Sequence, residues 1–190
     1  IANSIWQMNE PVLKQGRWDF DRFMKVKAAV DEHTAEGLGM GVQERVSALN
    51  AFMHDLYHRQ EIIRAGRVPQ RLFQNNAAWL QQMVGFTPPG GVYTHIVGID
   101  LVRTGPNDWF VLEDNARTPS GVSYMLENRE TMLQMFPELF STIRVQPVSD
   151  YPKNLRRSLE ACAPQSCTGR PCVAILTPGI HNSAYFEHSF

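Results

Sequence analysis

An excess of charge of either sign is missing from this chain: 18 Lys and Arg against 19 Asp and Glu leave a formal net charge of -1 over 190 residues. No dense basic run breaks that balance, so nothing supplies the phosphate-neutralising surface on which nucleic-acid binding rests. Acidic tails are missing too. No apolar stretch approaches the ~20 residues of a membrane-spanning helix, and the opening IANSIWQMNE lacks the basic-then-apolar layout of a signal peptide. Cysteine is scarce. Cys162, Cys167 and Cys172 sit five apart, an odd number without a C-x-x-C pair, which argues against a disulfide framework and against a zinc knuckle. Internal repeats and low-complexity segments are absent. These absences point to a soluble, cytoplasmic protein with ordinary thiols and with neither a nucleic-acid nor a membrane partner.

What is present is an apolar content of 43%, enough for one ordinary domain, or for one and part of another. Residues 1–20 carry no sustained period. From Phe20 to about Glu36 the spacing of Phe23, Val26, Ala29 and Val30 predicts a helix, which Gly37, Gly39 and Gly41 are expected to break. The strongest helical stripe follows, with Val42, Val46, Leu49, Met53, Leu56 and Ile63 predicting a helix to about Ala65. Its other face spells H-D-x-x-H at His54, Asp55 and His58. Two histidines at i and i+4 can bind zinc, but Asp stands where zincins carry Glu and no third histidine follows closely; a solvated helix face is the plainer reading. Asn50 and Asp55 are alternatively placed to line a site made elsewhere. Pro69 begins a further expected helix through Asn75, Trp79 and Leu80 to Val84. Pro88-Pro89-Gly90-Gly91 then separates this mostly helical first part from the rest.

Two runs of β-branched and aromatic residues flank a four-residue turn. Val92, Tyr93, Ile96, Val97, Ile99 and Val102 precede Gly105-Pro106-Asn107-Asp108, and Trp109, Phe110, Val111 and Leu112 follow it, as in a β-hairpin. Pairing Thr104 with Trp109 puts Asp100 opposite Glu113. Strand side chains alternate, so Glu113 and Asn115 share a face while Asp114 points away. Asp100, Glu113 and Asn115 then converge as three oxygen donors. A hard cation beside phosphates needs such a set, with few carboxylates and room for water and phosphate oxygens. Arg117 comes next, a permanently charged fork suited to phosphate or carboxylate. Thr118-Pro119-Ser120-Gly121 then leads into a helix expected from about Val122 to Met135, whose start offers unpaired N–H groups to an anion. Capping by Ser120 or Ser123 is the ordinary alternative.

Beyond that helix, Pro137 and Pro147 mark loops, and Tyr151 to Cys162 is expected to be helical with Leu155 and Leu159 inward. Residues 172–176, CVAIL, read as a strand buried on both faces. Thr177-Pro178-Gly179 and a helix from Asn182 follow, the opening of a doubly wound unit. His181, Asn182 and Ser183 stand there either to touch a ligand or to cap the helix. The chain starts at Ile1 rather than Met and stops at Phe190 in the opening turn of that helix, so a fragment of something longer, or a processed or partial chain, is expected.

The strings GIDLVR, VLEDNARTPSG, LTPG and NSAYFEHSF, within roughly Gly41 to Phe190, resemble the circularly permuted ATP-grasp family, which is related to the synthetase part of glutathionylspermidine synthase. The resemblance implies an α+β fold: an ATP-grasp-like metal-binding hairpin with flanking helices, followed by the start of an α/β, doubly wound pre-ATP-grasp unit. The expected regions are 1–90, mostly helical, 91–147 with the hairpin and its helix, and 148–190. It further implies ATP and Mg2+ as cofactors, Asp100, Glu113 and Asn115 as metal ligands with Glu113 bridging two ions, and Arg117, Ser120 and Gly121 stabilising an acyl phosphate and the oxyanion that follows. Glutathionylspermidine synthase has an arginine two residues before its metal-binding Asp; that position here is Gly98, and Arg103 or Arg117 is expected to supply the charge. Arg103, His181, Asn182 and Ser183 form the expected nucleotide side. Permutation places the lysine-bearing strands that clasp ATP beyond Phe190, so the chain is expected to carry half an active site. The implied activity is a carboxylate–amine ligase, acting on small-molecule or peptide substrates. A zinc hydrolase at His54 and His58, and a non-catalytic nucleotide-binding or scaffold relative, are the alternatives.

Overall fold

The structure, a computed structural model, describes residues 35–74, 76–105, 108–143 and 145–190. The irregular segment expected over 1–20 and most of the helix expected from Phe20 lie outside them, as do Asn75 and, in the expected turn, Pro106 and Asn107. The chain divides into two compact units, Ile1–Arg117 and Thr118–Phe190.

In the first unit, helix α1 runs from Ala35 to Tyr57. Gly37, Gly39 and Gly41 do not break it; glycine costs a helix only about 1 kcal/mol relative to alanine, and surrounding structure overrides so weak a preference. The expected run to Ala65 is instead interrupted after Tyr57. Gln60 takes a left-handed conformation with φ 54°, its N–H donating to the Asp55 carbonyl at 2.7 Å. The Asp55 carboxylate then accepts the N–H groups of Glu61 at 2.9 Å and Ile62 at 3.0 Å. These are orphan donors at the start of the short helix α2, Glu61–Arg64. Asp55 is therefore a helix-starting residue.

The helix expected over 69–84 is reduced to two 3-10 turns, Gln70–Leu72 and Gln81–Met83. Aromatic packing organises this segment instead. The Tyr57 ring, 6% exposed, stacks on Trp79 at 4.5 Å, and Phe73 meets Trp79 edge-on at 6.0 Å. The Gly85 N–H donates to the Tyr57 carbonyl at 2.7 Å, tying the segment back to the end of α1. Among the described residues the buried hydrophobic side chains are Leu56, Tyr57 and Val111, so this unit holds the core.

Strands β1, Gly98–Arg103, and β2, Trp109–Asn115, pair antiparallel. Residues 92–97, expected in the first strand, are irregular. At the turn end Arg103, not Thr104, lies opposite Trp109, and Leu101 lies opposite Val111. Leu112 is then an extra residue on β2. This β-bulge brings Asp100 opposite Glu113 and Ile99 opposite Asp114. The expected facing of Asp100 and Glu113 is thus present, reached through a different register at the turn.

In the second unit, α3 spans Val122–Met135, as the periodicity predicts. Pro137, read as a loop marker, opens helix α4, Pro137–Thr142, where the missing proline N–H is no loss. Helix α5, Tyr151–Ala161, has Leu155 and Leu159 half-buried. Arg156 and Arg170 both reach the Glu160 carboxylate, at 2.9 and 3.6 Å. The strand expected over 172–176 does not form, and Leu176 is 94% exposed. A strand requires a hydrogen-bonded neighbour, and none stands beside this run among the described residues. Helix α6, Tyr185–Ser189, starts three residues later than expected. Helices with a small antiparallel sheet make an α+β content. Among the described residues no helix is long and apolar enough to cross a membrane.

Candidate functional site

The bulge at Leu112 decides what each hairpin face carries. Without it, Val111 and Glu113 would share a face, and an apolar core residue would sit beside the acid. With it, Ile99, Leu101, Val111 and Asp114 lie on one face, and Val111 is only 3% exposed. Asp100, Glu113 and Asn115 lie on the other, and all three are exposed.

Asp114 is held from its own side. Arg45, on α1 and 6% exposed, donates Nε to one Asp114 oxygen at 2.6 Å and Nη2 to the other at 2.5 Å. This two-pronged pair fixes the hairpin to the helix and withdraws Asp114 from any role on the open face. The triplet Glu113-Asp114-Asn115 therefore splits by alternation, with its middle residue structural and its flanks presented outward.

A second clamp holds the entry to β1. The Asn50 side-chain oxygen accepts the N–H groups of Tyr93 at 2.7 Å and Thr94 at 3.1 Å, and its amide donates to Thr94 Oγ1 at 3.1 Å. Four residues on, the His54 and His58 rings stack at 4.1 Å. Their nitrogens meet Tyr93 Oη at 3.2 Å, the His54 carbonyl at 2.9 Å and Thr87 Oγ1 at 3.1 Å. The H-D-x-x-H string thus packs the 86–94 segment against α1 and caps α2.

Among the described residues no three His, Cys, Asp or Glu side chains come together as a metal site. The donor set offered by the open face is two carboxylates and an amide oxygen. Mg2+ is bound through one or two carboxylates plus phosphates and keeps several waters, so this set fits that ion in number and type. Arg103 lies on the opposite face from Asp100, with its guanidinium 5.5 Å over the Trp109 ring and its Nε donating to the Gly105 carbonyl at 3.1 Å. Arg117 is exposed and, among the described residues, makes no hydrogen bond or ion pair.

In the second unit, Ser120 is exposed and Gly121 caps α3 with φ 101°, a conformation that side-chain-bearing residues rarely adopt. Neither Ser120 nor Ser123 caps the helix. Instead one oxygen of Glu187, on α6, accepts the Gly121 N–H at 2.6 Å and the buried Ser123 hydroxyl at 2.9 Å. Burial, and after it the charge of Glu187, push the Tyr151 phenol above its ordinary value. Of the expected nucleotide-side residues, His181, Asn182 and Ser183 form an exposed turn in which the Asn182 side chain accepts the Ala184 N–H at 2.9 Å. No sequence pattern marks Arg45 or Glu187 for a role: a carboxylate two residues into an aromatic-rich helix carries no signal of its partner 66 residues away.

The family described as circularly permuted ATP-grasp type 2 matches residues 29–190. An uncharacterized protein of Synechocystis is 50% identical over 153 residues, 80% of this chain and 32% of that protein. An uncharacterized protein of Mycobacterium tuberculosis is 49% identical over 152 residues, again 80% of this chain and 27% of that protein. A protein of Frankia casuarinae named putative glutamate–cysteine ligase 2-2 is 39% identical over 170 residues, 90% of this chain and 19% of that protein. The chain thus spans a third or less of the length of these relatives. No solved structure matches.

Proposed function

Because the chain belongs to the circularly permuted ATP-grasp type 2 family, we propose that it is the metal-binding part of an ATP-dependent ligase that activates a carboxylate as an acyl phosphate and joins it to an amine. The observation that carries this reading is the open hairpin face, where Asp100 stands opposite Glu113 with Asn115 beside them while Arg45 removes Asp114. The name of the Frankia relative, a putative ligase of glutamate and cysteine, agrees with the reaction class. It covers a much longer protein, so neither substrate is carried over to this chain.

In this reading Asp100, Glu113 and Asn115 would hold Mg2+, and Glu113 would be the ligand that two ions share. Bound Mg2+ neutralises charge across the phosphates, which with positioning is most of what phosphoryl transfer requires. A substrate carboxylate oxygen attacks the terminal phosphorus of ATP, ADP leaves, and the acyl phosphate forms. The amine nitrogen then attacks the acyl carbon, inorganic phosphate departs, and the amine loses a proton. Arg117 offers a fork to the phosphoryl oxygens, and Ser120, in the turn that Gly121 closes, offers a donor to the developing oxyanion, the Gly121 N–H itself being held by Glu187. His181, Asn182 and Ser183 contribute to the nucleotide side. The test is Glu113→Ala in the intact protein. Mg2+-dependent release of ADP from ATP is expected to fall to background, and persistence at the parent rate overturns the metal assignment.

A further inference from the structure

The start of α3 has every feature of an anion seat: a glycine N–H, a buried serine hydroxyl and the positive end of a 14-residue helix. In this structure the seat is filled from within. Oε2 of Glu187 takes both donors, from Gly121 at 2.6 Å and Ser123 at 2.9 Å. The neighbouring contacts show how its helix is held. Phe186 packs on Tyr124 with ring centroids 5.0 Å apart, and His188 Nδ1 meets Thr177 Oγ1 at 2.8 Å. Phe186 and Glu187 thus dock α6 on the first turn of α3, while His188 ties the helix back to Thr177 within its own segment. Gly121, with its left-handed backbone, is the pivot between that turn and Ser120.

We infer that Glu187 is a positioning residue, which by bonding Gly121 and Ser123 fixes the Ser120–Gly121 turn that the proposed ligase presents to its acyl phosphate. This rests on the function proposed above. Glu187 takes no part in the bond-making steps. Its carboxylate satisfies the Gly121 N–H, so the turn keeps one conformation and Ser120 one placement. Because a single oxygen accepts both bonds, a glutamine can replace it with its own amide oxygen, whereas an alanine leaves two donors unmet, one of them on a buried side chain.

The test compares Glu187→Ala, Glu187→Gln and Ser123→Ala in the intact protein, using Mg2+ and ATP as the probe. Glu187→Ala is expected to lower kcat for ADP release about tenfold or more while KM for ATP stays within about twofold, and to speed amide hydrogen exchange of residues 121–125 about tenfold, the size expected when a charged hydrogen bond is lost. Glu187→Gln is expected to restore both readouts to within about threefold of the parent, and Ser123→Ala, which removes one bond of the two, to fall between. Two results overturn the inference: unchanged kcat and exchange in Glu187→Ala, or a folded Glu187→Gln protein as impaired as Glu187→Ala, which would mean that the site uses the charge itself. Glu113→Ala separates the two levels. If it abolishes turnover while Glu187→Ala leaves kcat and exchange untouched, the positioning role alone falls; if Glu113→Ala leaves turnover intact, the ligase reading falls first.

Discussion

Neighbouring residues of β2 are expected to respond to mutation in opposite ways. Asp114→Ala leaves a guanidinium whose side chain is 5% exposed without the carboxylate it grips at 2.6 and 2.5 Å. Breaking one side of such a buried pair costs about 3–5 kcal/mol. Arg45 keeps a further contact and the Asp114 side chain is 15% exposed, so a loss near the lower end, about 3 kcal/mol, is expected. Replacing both partners by apolar residues, Arg45→Met with Asp114→Leu, is expected to recover most of it. Glu113 is exposed and faces another carboxylate across the strands. Like charges directly opposite are destabilising by a few tenths of a kcal/mol or more, so Glu113→Gln without Mg2+ is expected to be neutral or slightly stabilising. Urea titration followed by the fluorescence of Trp79 and Trp109, both in the same unit as the hairpin, reads the difference. If Asp114→Ala costs under about 1 kcal/mol, or Glu113→Gln costs as much as Asp114→Ala, the division of the triplet into a structural centre and functional flanks is refuted.

Two further outcomes follow from the clamps and the anion seat. Asn50→Leu removes the acceptor of the Tyr93 and Thr94 N–H groups and is expected to destabilise the first unit by about 1–3 kcal/mol in the same titration; a loss below the lower figure means that water replaces the side chain. The Tyr151 phenol has a raised value, so the fold favours its neutral form: its contribution is complete below about pH 10 and is lost as pH rises through the folded-state value. Burial is the larger cause and Glu187 the second, so Glu187→Gln is expected to lower the Tyr151 midpoint without bringing it fully to the ordinary value, read as the tyrosinate absorbance difference from a Tyr151→Phe protein; an unmoved midpoint shows that Glu187 does not stand near the phenol.

The parts legible in the sequence were those written in local pattern. The helix Val122–Met135 and the facing of Asp100 and Glu113 follow from periodicity and alternation. The bulge did not, because nothing about Leu112 distinguishes an extra strand residue from a paired one until the register at both ends is known. Propensity misled at Gly37, Gly39 and Gly41, where a long helix absorbs the cost, and the apolar stripe from Val42 continued past the point where Asp55 ends one helix and starts another. Residues 172–176 have strand composition, yet composition supplies no neighbour. The pair that holds the hairpin, Arg45 with Asp114, and the pair that holds the start of α3, Glu187 with Gly121, span 69 and 66 residues, and such partnerships have no signature in a single sequence.

The claim on which the rest depends is that the open face of the hairpin holds the divalent cation that accompanies ATP. Mn2+ reports on such an oxygen site as a paramagnetic substitute for Mg2+, so the most direct measurement is its binding to the intact protein in the presence of a non-hydrolysable ATP analogue, followed by electron paramagnetic resonance. The account predicts bound Mn2+ in the parent protein and in Glu187→Gln, and loss of that bound population in Asp100→Asn and in Glu113→Gln while each remains folded. Undiminished Mn2+ binding in both hairpin variants would contradict it.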